Sequence, residues 1–381
     1  MDLKDIRTQI DAIDTQLLDL FCQRMDLAKE VAEAKRGMKK AVFDPARERD
    51  KLADVMGRAP EDYRPQTHSL FSLLMTMNKA EQQKVLHEGD AKSRSSQART
   101  SMRPVTESLT AMAHVACQGV EGAYSQIAAC KLFSVPTISY FTSFEGVFKA
   151  IQSGFCEYGV LPIENSTAGS VNQVYDLLAK YRFHIVRSLR LKIDHQLLAK
   201  PGTQLKDVRE ICSHQQAIAQ CSDYIESLGA HVTVMENTAM AAQAVANSER
   251  DDIAALSSRT CADLYGLDIL DEDVQDSDSN YTRFVLISAE PAIYPGANRT
   301  SLLLTLKHEP GSLYRVLERF FALDINLVKL ESRPIPGRDF EFMFYFDLEA
   351  PAGSEPLEKL LDSLDELCDR VVYFGTYTEV L

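Results

Sequence analysis

Apolar residues recur in alternating steps of three and four over residues 3–36. They are Leu3, Ile6, Ile10, Ile13, Leu17, Leu20, Leu27 and Val31. This spacing predicts one long helix whose apolar stripe packs against another helix. Between Leu20 and Leu27 the stripe is interrupted, because Arg24 stands where an apolar residue is expected.

A guanidinium on a packing stripe needs an anion beside it. Arg24 and Lys35 share a helix face roughly 16 Å apart along the axis, so a small anion can contact both. Arg7 lies about 42 Å from Lys35 and reaches such a site only from a second copy of the chain. Alternatively, Arg24 extends to solvent or pairs with Asp14 or Asp19.

Two further helices are predicted before residue 87. Asp44 is the expected N-cap of a helix over residues 45–56, which begins with a proline. A third helix covers residues 67–86, where Asn78 and Gln82 are neighbours four positions apart. These helices cannot cover the long apolar stripe, so we expect a helical dimer.

The rest of the chain divides by pattern into a linker and two folded regions. Residues 88–108 are polar and rich in serine and arginine, as is typical of a linker. From 109 to 290, short apolar runs alternate with helical patterns, which predicts an α/β domain. Its predicted strands are residues 113–117, 138–141, 158–162, 185–191, 208–212, 231–235, 253–256 and 283–288.

Polar residues and glycines follow several of these strands. They are Gly119, Gly122, Tyr124 and Ser125, then Glu164, Asn165, Ser166 and Thr167, then Ser213, His214 and Gln215. Each can simply cap the helix that follows it. Together, at one edge of an α/β sheet, they indicate a cleft that offers N–H groups and hydroxyls to an anionic ligand.

A second polar motif, Thr282 and Arg283, lies at the start of the last strand of this region. Thr282 supplies a neutral hydroxyl donor, and Arg283 a planar guanidinium suited to a carboxylate. Neighbours on a strand point to opposite faces, so both can serve one site only at the end of the strand.

The C-terminal region has a βαββαβ pattern. The predicted strands are residues 300–306, 325–333, 340–348 and 371–375, and the predicted helices are 313–323 and 355–368. This order is typical of a ferredoxin-like α+β fold. Gly311 at the start of a helix and Asn326 within a strand indicate a small ligand site at the edge of this domain.

Composition and charge narrow the possible functions. The net charge of −14 argues against a nucleic-acid partner. Neither a signal peptide nor a membrane-spanning stretch is predicted. The eight scattered cysteines indicate reduced thiols, and neither metal-ligand spacing nor a nucleotide-binding glycine motif is found. We expect a cytoplasmic protein without metal or cofactor.

Five short motifs, in order, resemble the bifunctional chorismate mutase–prephenate dehydratases of phenylalanine biosynthesis. Residues 119–125, 162–167, 213–215 and 282–284 are similar to the dehydratase, and residues 330–334 to the regulatory ACT domain of that family. The resemblance runs end to end. It implies an all-α dimeric mutase domain (1–87), a linker (88–108), a two-lobed, periplasmic-binding-protein-like α/β dehydratase domain (109–290) and a ferredoxin-like ACT domain (299–381).

For the first domain the resemblance implies a mutase site that two subunits share. The implied residues are Arg7 from the neighbouring subunit and Arg24, Lys35, Asp44, Arg47, Glu48, Asn78 and Gln82. Arg7 and Arg24 would bind the carboxylates of chorismate, while Lys35 and Gln82 would donate to its ether oxygen. This pericyclic reaction needs only a held conformer and stabilised charge. The family commonly has serine where this chain has Asn78.

For the second domain the resemblance implies decarboxylative dehydration of prephenate to phenylpyruvate. Thr282 would protonate or hydrogen-bond the leaving hydroxyl, and Arg283 would anchor the pyruvyl carboxylate. The other implied residues are Asn165, Ser166 and Thr167, with substrate contacts from Tyr124, Ser125, Glu164, Gln215 and Phe284.

For the ACT domain the resemblance implies feedback inhibition by phenylalanine bound between two subunits. The implied contacts are Gly311, Ser312, Leu313, Asn326, Leu327, Glu331 and Ser332. Binding would favour an arrangement in which the dehydratase cleft is closed or distorted. The assembly implied is a homodimer or a dimer of dimers.

Three interpretations remain open from sequence. The first is a bifunctional enzyme under phenylalanine control. The second is a dehydratase whose helical domain serves only for dimerisation. The residue that suggests it is Asn78, which stands where the family commonly has serine. The third is a non-catalytic amino-acid sensor, against which Thr282, Arg283, Ser166 and Thr167 argue. A mutase–dehydrogenase is excluded, because no GxGxxG motif follows a predicted strand.

Overall fold

The fold is taken from a computed structural model, which describes residues 2–38, 45–87, 103–105, 109–335, 337 and 341–380. The chain divides into two compact units, Met1–Ser93 and Arg94–Leu381. Asp44 and most of the predicted linker 88–108 lie outside the described residues. The three predicted domain ranges stay predictions.

The first unit is helical, as predicted. Its elements are α1 (Leu3–Met38), α2 (Pro45–Arg58), a short 3-10 turn (Glu61–Tyr63) and α3 (Arg64–His87). The 36 residues of α1 form one continuous helix, which is about 54 Å long at 1.5 Å per residue. Helix α3 packs on both α1 and α2.

Helix α1 packs on its own chain only along its C-terminal half, around Arg24, whereas residues 3–20 are exposed on all sides. Ala28 and Ala32 are buried, one and two turns after Arg24, which contacts α3. By contrast, all eight residues of the stripe are 41–62% exposed. No described part of this chain covers the stripe, so the helix–helix partner predicted for it is not found within one chain, and dimerisation stays a prediction.

The second unit begins with a two-lobed α/β fold, as predicted. Its strands are β1 (Arg103–Pro104), β2 (Met112–Gln118), β3 (Val135–Phe141), β4 (Tyr158–Asn165), β5 (Gly169–Ser170), β6 (His184–Lys192), β7 (Gln196–Ala199), β8 (Glu210–His214), β9 (His231–Met235), β10 (Ile253–Ser257), β11 (Asp268–Asp271), β12 (Tyr281–Ser288) and β13 (Ala292–Ile293). Its helices are α4 (Tyr124–Leu132), α5 (Phe144–Gln152), α6 (Asn172–Tyr181), α7 (Gln215–Gln220), α8 (Ser222–Leu228), α9 (Thr238–Asn247) and α10 (Arg259–Tyr265).

Each lobe is built on its own sheet. In the first lobe the strand order is β3-β2-β4-β12-β6, and in the second it is β11-β7-β10-β8-β9. The chain crosses between the lobes twice, from β6 to β7 and from β11 to β12. Strand β10 is buried along its whole length, because helices cover both faces of its sheet. The crossings bring the ends of β4 and β12 close to the second lobe.

The C-terminal part of the second unit has the predicted βαββαβ order. Its elements are β14 (Arg299–Leu306), α11 (Ser312–Ala322), β15 (Asn326–Pro334), β16 (Phe342–Glu349), α12 (Glu355–Leu367) and β17 (Cys368–Val380). The strands form an antiparallel sheet in the order β15-β16-β14-β17. Leucines and phenylalanines of the sheet and both helices form one core.

Strand β17 joins this fold to the first lobe. It was predicted over residues 371–375 but runs from Cys368 to Val380. Its last residues pair in parallel with β6, for example Thr378 with Arg187. Gly375 has φ +145°, and a Cβ there would lie 2.2 Å from the carbonyl oxygen of Ile185. The missing side chain lets the two backbones approach, so the two sheets are continuous.

Candidate active sites and relationship to known proteins

Arg24 is held against α3 in the first unit. Its Nη1 donates to the carbonyl oxygen of Leu74 at 2.8 Å and to Oδ1 of Asn78 at 2.6 Å. Burial lowers the pKa of Arg24 from its ordinary value. Its partners lie on α3, so the alternative pairing with Asp14 or Asp19 is not the one found. The structure brings together two predicted site residues, Arg24 and Asn78.

Gln82 and Glu48 lie on the facing helices α3 and α2. Gln82 is buried, and its Oε1 has no hydrogen-bond partner. Glu48 forms an ion pair with Lys79, one turn before Gln82, at 2.9 Å. A buried amide oxygen without a partner is unusual in a folded protein, so this position is suited to meeting a ligand.

The other predicted mutase residues are spread along the unit. Arg7 is exposed on α1, about 26 Å from Arg24 along the helix axis. Lys35 lies near the C-terminal end of α1, and Arg47 lies in the first turn of α2. The structure therefore does not bring Arg7 to Arg24 within one chain. Asp44 lies outside the described residues.

Thr282 and Asn165 form the centre of the predicted dehydratase site. They are paired residues on β12 and β4, and Nδ2 of buried Asn165 donates to Oγ1 of Thr282 at 3.0 Å. Oδ1 of Asn165 accepts from the backbone N–H of Thr167 and Ala168 at 3.1 and 2.9 Å. These backbone donors fix the amide orientation. Because Thr282 accepts from Asn165, its own hydroxyl hydrogen can be donated elsewhere.

Residues from the second lobe and from the lobe crossings surround this pair. Gln220 of α7 donates to Oγ1 of Thr167 at 2.8 Å and accepts from Nδ2 of Asn280 at 3.0 Å. His195 lies between the lobes, with Nε2 3.1 Å from Oε1 of Gln220. Sequence reasoning did not select Gln220 or His195. Gln220 follows the predicted motif at 213–215 on the same helix, whereas no local pattern marks His195.

The substrate contacts predicted around this pair are only partly assembled. Tyr124 donates to the carbonyl oxygen of Asp194 at 2.7 Å, and its hydroxyl lies 3.4 Å from Nδ1 of His195. Burial raises the pKa of Tyr124 and lowers the pKa of His195. Ser125 is buried, and Gln215 is exposed at the start of α7. The hydroxyl of Ser166 donates to the carbonyl oxygen of Ser279 at 2.8 Å.

Arg283 points away from Thr282. Its Nη2 lies 2.5 Å from Oδ2 of Asp347 on β16 and 3.2 Å from Oε2 of Glu164. Burial alone would lower the pKa of Arg283, but the charges around it, with Asp347 first, raise it well above its ordinary value. Strand alternation sends Thr282 and Arg283 to opposite faces. The structure does not join them in one site, so the predicted carboxylate anchor is not supported by this geometry.

Phe284 is 2% exposed and packs in the core of the first lobe. Because this side chain is buried in the core, the structure does not support the substrate contact predicted for Phe284. The side chain instead stabilises the strand that carries Thr282.

The predicted effector residues lie in separate places within one chain. Gly311, with φ +81°, precedes α11, and Asn326 and Leu327 follow its other end, about 17 Å away. Gly311, Ser312 and Leu313 line part of a cavity of about 350 Å³. Glu331 is hydrogen-bonded to Ser170 of the first lobe. Ser332 is exposed on β15.

The described residues contain no cluster of histidine, cysteine and carboxylate side chains that could hold a metal ion. None of the described helices is both long enough and apolar enough to cross a membrane. All eight cysteines lie in the described ranges, and all are free thiols.

Comparison with sequence families identifies two matches in this chain. The family model "Chorismate mutase type II" matches residues 6–83, and the model "Prephenate dehydratase" matches residues 115–292. The bifunctional chorismate mutase/prephenate dehydratase of Escherichia coli K12 is 32% identical, and the alignment covers 98% of this chain and 95% of the relative. Arogenate dehydratase/prephenate dehydratase 2 of Arabidopsis thaliana is 38% identical over 73% of this chain and 76% of the relative.

Solved structures resemble the second unit. A structure described as GqqA, a novel type of quorum quenching acylase, has a TM-score of 0.64 and 33% identity, covering 69% of this chain and 97% of that one. Prephenate dehydratase from Arthrobacter aurescens in complex with L-Phe has a TM-score of 0.64 and 26% identity, covering 70% and 89%. The match to the Escherichia coli protein spans both units in the same order. The chain therefore belongs to the family of bifunctional chorismate mutase/prephenate dehydratases.

Proposed function

We propose that this chain catalyses two consecutive reactions of phenylalanine biosynthesis, chorismate to prephenate and prephenate to phenylpyruvate. The observation that supports this most is that both family matches, residues 6–83 and 115–292, occur in one chain. Its free cysteines suit a reducing compartment, so we propose the cytoplasm as its location.

In the mutase reaction, the protein holds chorismate in its reactive conformer and stabilises charge on the ether oxygen as its C–O bond breaks. Arg24, fixed by Asn78, binds a carboxylate, and the amide of Gln82 donates to the ether oxygen. Arg7 of a second copy binds the other carboxylate, because the length of α1 separates Arg7 from Arg24. The exposed stripe of α1 supports a homodimer or a dimer of dimers.

In the dehydratase reaction, the ring hydroxyl leaves with a proton as water, and the ring carboxylate leaves as carbon dioxide. The electron pair of the broken C–C bond completes the aromatic ring, which drives the reaction. Thr282 donates a hydrogen bond to the leaving hydroxyl, and Asn165 keeps it oriented for that donation. The proton that completes the water molecule comes from solvent by way of this hydroxyl, so Thr282 ends the turnover protonated. A threonine hydroxyl is a weak acid, so orientation matters more here than acidity.

For regulation, we propose that the C-terminal fold is an ACT domain that binds phenylalanine. The βαββαβ order and the cavity beside Gly311 and Ser312 support this. The related Arthrobacter aurescens structure was solved in complex with L-Phe. Because Asn326 and Leu327 lie at the other end of α11, one ligand contacts both groups only between two chains.

A dehydratase with a non-catalytic helical unit is the second candidate. The observation that favours it is the hydrogen bond of 2.6 Å from Arg24 to Asn78. This bond occupies a donor that chorismate would otherwise use.

The test is to supply chorismate to the purified protein and to follow chorismate, prephenate and phenylpyruvate separately, with and without phenylalanine. We expect prephenate to form and then decline as phenylpyruvate rises, with phenylalanine slowing only the second step. Turnover of added prephenate without loss of chorismate would establish the second candidate. Turnover of neither chorismate nor prephenate would contradict both candidate functions. Arogenate is tested as an alternative substrate of the dehydratase.

A further inference from the structure

Lys329 of the C-terminal fold reaches into the first lobe of the dehydratase fold. Its Nζ lies 3.0 Å from Oε1 of Glu164 and is hydrogen-bonded to the hydroxyl of Ser170. The side chain is 11% exposed, and Nζ lies 5.2 Å from the ring centroid of Tyr175. Glu331, two residues along β15, also contacts Ser170 and lies 3.4 Å from Lys329.

The two first-lobe partners of Lys329 form the base of one hairpin. Glu164 on β4 pairs with Ser170 on β5, and Asn165 pairs with Gly169. The turn of this hairpin carries Thr167. Lys329 therefore contacts both strands of the segment whose Asn165 side chain orients Thr282.

Glu164 also connects Lys329 to the strand of Thr282. Its second oxygen lies 3.2 Å from Arg283, the residue after Thr282. Glu164 is thus held between two cations, one from the C-terminal fold and one from β12. Without Lys329, the side-chain partner that remains among the described residues is Arg283 for Glu164 and Glu331 for Ser170. The base of the hairpin then keeps its backbone pairing but loses the side chain that links Glu164 to Ser170.

Attachment of the C-terminal fold does not depend on Lys329. Strand β17 pairs directly with β6, Arg283 pairs with Asp347 at 2.5 Å, and Arg333 pairs with Asp176 at 2.8 Å. The role of Lys329 is therefore specific to the hairpin.

We propose that Lys329 is a positioning residue for the dehydratase reaction, because it holds the Asn165–Ser170 hairpin in register with Thr282. This inference rests on the proposed dehydratase function. Lys329 does not contact the substrate. It acts through Glu164 and Ser170, so that Asn165 and Thr167 keep their places around the reacting hydroxyl.

The test compares Lys329→Met with Lys329→Arg and with the control Lys359→Met. Methionine keeps an apolar chain beside Tyr175 but removes the charge and the donors. Lys359 lies on α12 in the same fold and pairs only locally with Glu355. We expect Lys329→Met to lower kcat for prephenate about ten- to a hundredfold, with KM changed less than about twofold. Lys329→Arg should recover part of this loss, and Lys359→Met should match the wild type.

Two further measurements separate positioning from folding. Chorismate consumption by the same sample should not change in Lys329→Met, because the helical unit is separate. In a Thr282→Ala background, Lys329→Met should have little further effect on kcat, since the hydroxyl that it aligns is gone.

Three results would overturn the inference: a wild-type kcat in Lys329→Met, equal losses in both reactions, or independent losses from Lys329→Met and Thr282→Ala. If the wild-type protein itself converts no prephenate, the proposed function fails, and this inference fails with it. Prephenate turnover by the wild type with normal kcat in Lys329→Met would overturn the positioning role alone.

Discussion

At the scale of single residues, the direction of the hydrogen bond between Asn165 and Thr282 is the central feature of the proposed dehydratase site. Asn165 donates to Thr282 at 3.0 Å, and its oxygen is occupied by the turn that follows. Thr282 consequently accepts from the protein, and its own hydroxyl hydrogen is available for the proposed donation to the substrate. This one-directional arrangement supports the proposal that an uncharged, weakly acidic group serves the leaving hydroxyl.

Replacement of Thr282 tests this arrangement directly. We expect Thr282→Ala to lower kcat for prephenate about 10²- to 10³-fold, whereas Thr282→Ser should retain much of the activity because it keeps the hydroxyl. The measurement is steady-state phenylpyruvate formation, with chorismate consumption as the control for folding. Near-normal turnover by Thr282→Ala would remove Thr282 from its assigned role.

At the scale of helices and strands, features that depend on local sequence patterns were predicted, whereas features that depend on long-range contacts were missed. Helices α1 and α2 were predicted because their signals are local. The apolar stripe lies within α1 itself, and a proline begins α2. Strand β17 was predicted too short, because the residues added at its two ends pair with β14 and β6, which both lie far away in sequence. The same limit applies to the site. Thr282 and Asn165 stood in motifs, whereas Gln220 and Lys329 become relevant only through folding.

The close contact at Gly375 gives a prediction for this strand. We expect Gly375→Ala to lower the free energy of unfolding of the second unit by more than about 1–3 kcal/mol, the cost of an unfavourable φ alone. The new Cβ would lie 2.2 Å from a backbone oxygen. The control is Gly353→Ala, where φ is +70° but a Cβ meets no atom within 4 Å. Denaturant unfolding curves measure both, and equal effects would contradict the role of close approach.

At the scale of the whole molecule, the first unit leaves its apolar stripe exposed in one chain. The stripe of α1 is 41–62% exposed, and Arg7 and Arg24 lie about 26 Å apart on one rigid helix. The proposed homodimer would account for both observations, because a second copy would cover the stripe and supply its own Arg7. The dehydratase pair, Thr282 and Asn165, is by contrast complete within one chain.

A shared mutase site predicts complementation between two inactive variants. Arg7→Ala and Arg24→Ala should each abolish chorismate consumption while prephenate turnover persists. A mixed dimer contains one site with both arginines and one site with neither. Equal co-expression makes half of the dimers mixed, so we expect about a quarter of wild-type mutase activity to return. Full activity of Arg7→Ala alone, or no recovery in verified mixed dimers, would show that the site does not combine Arg24 of one chain with Arg7 of another.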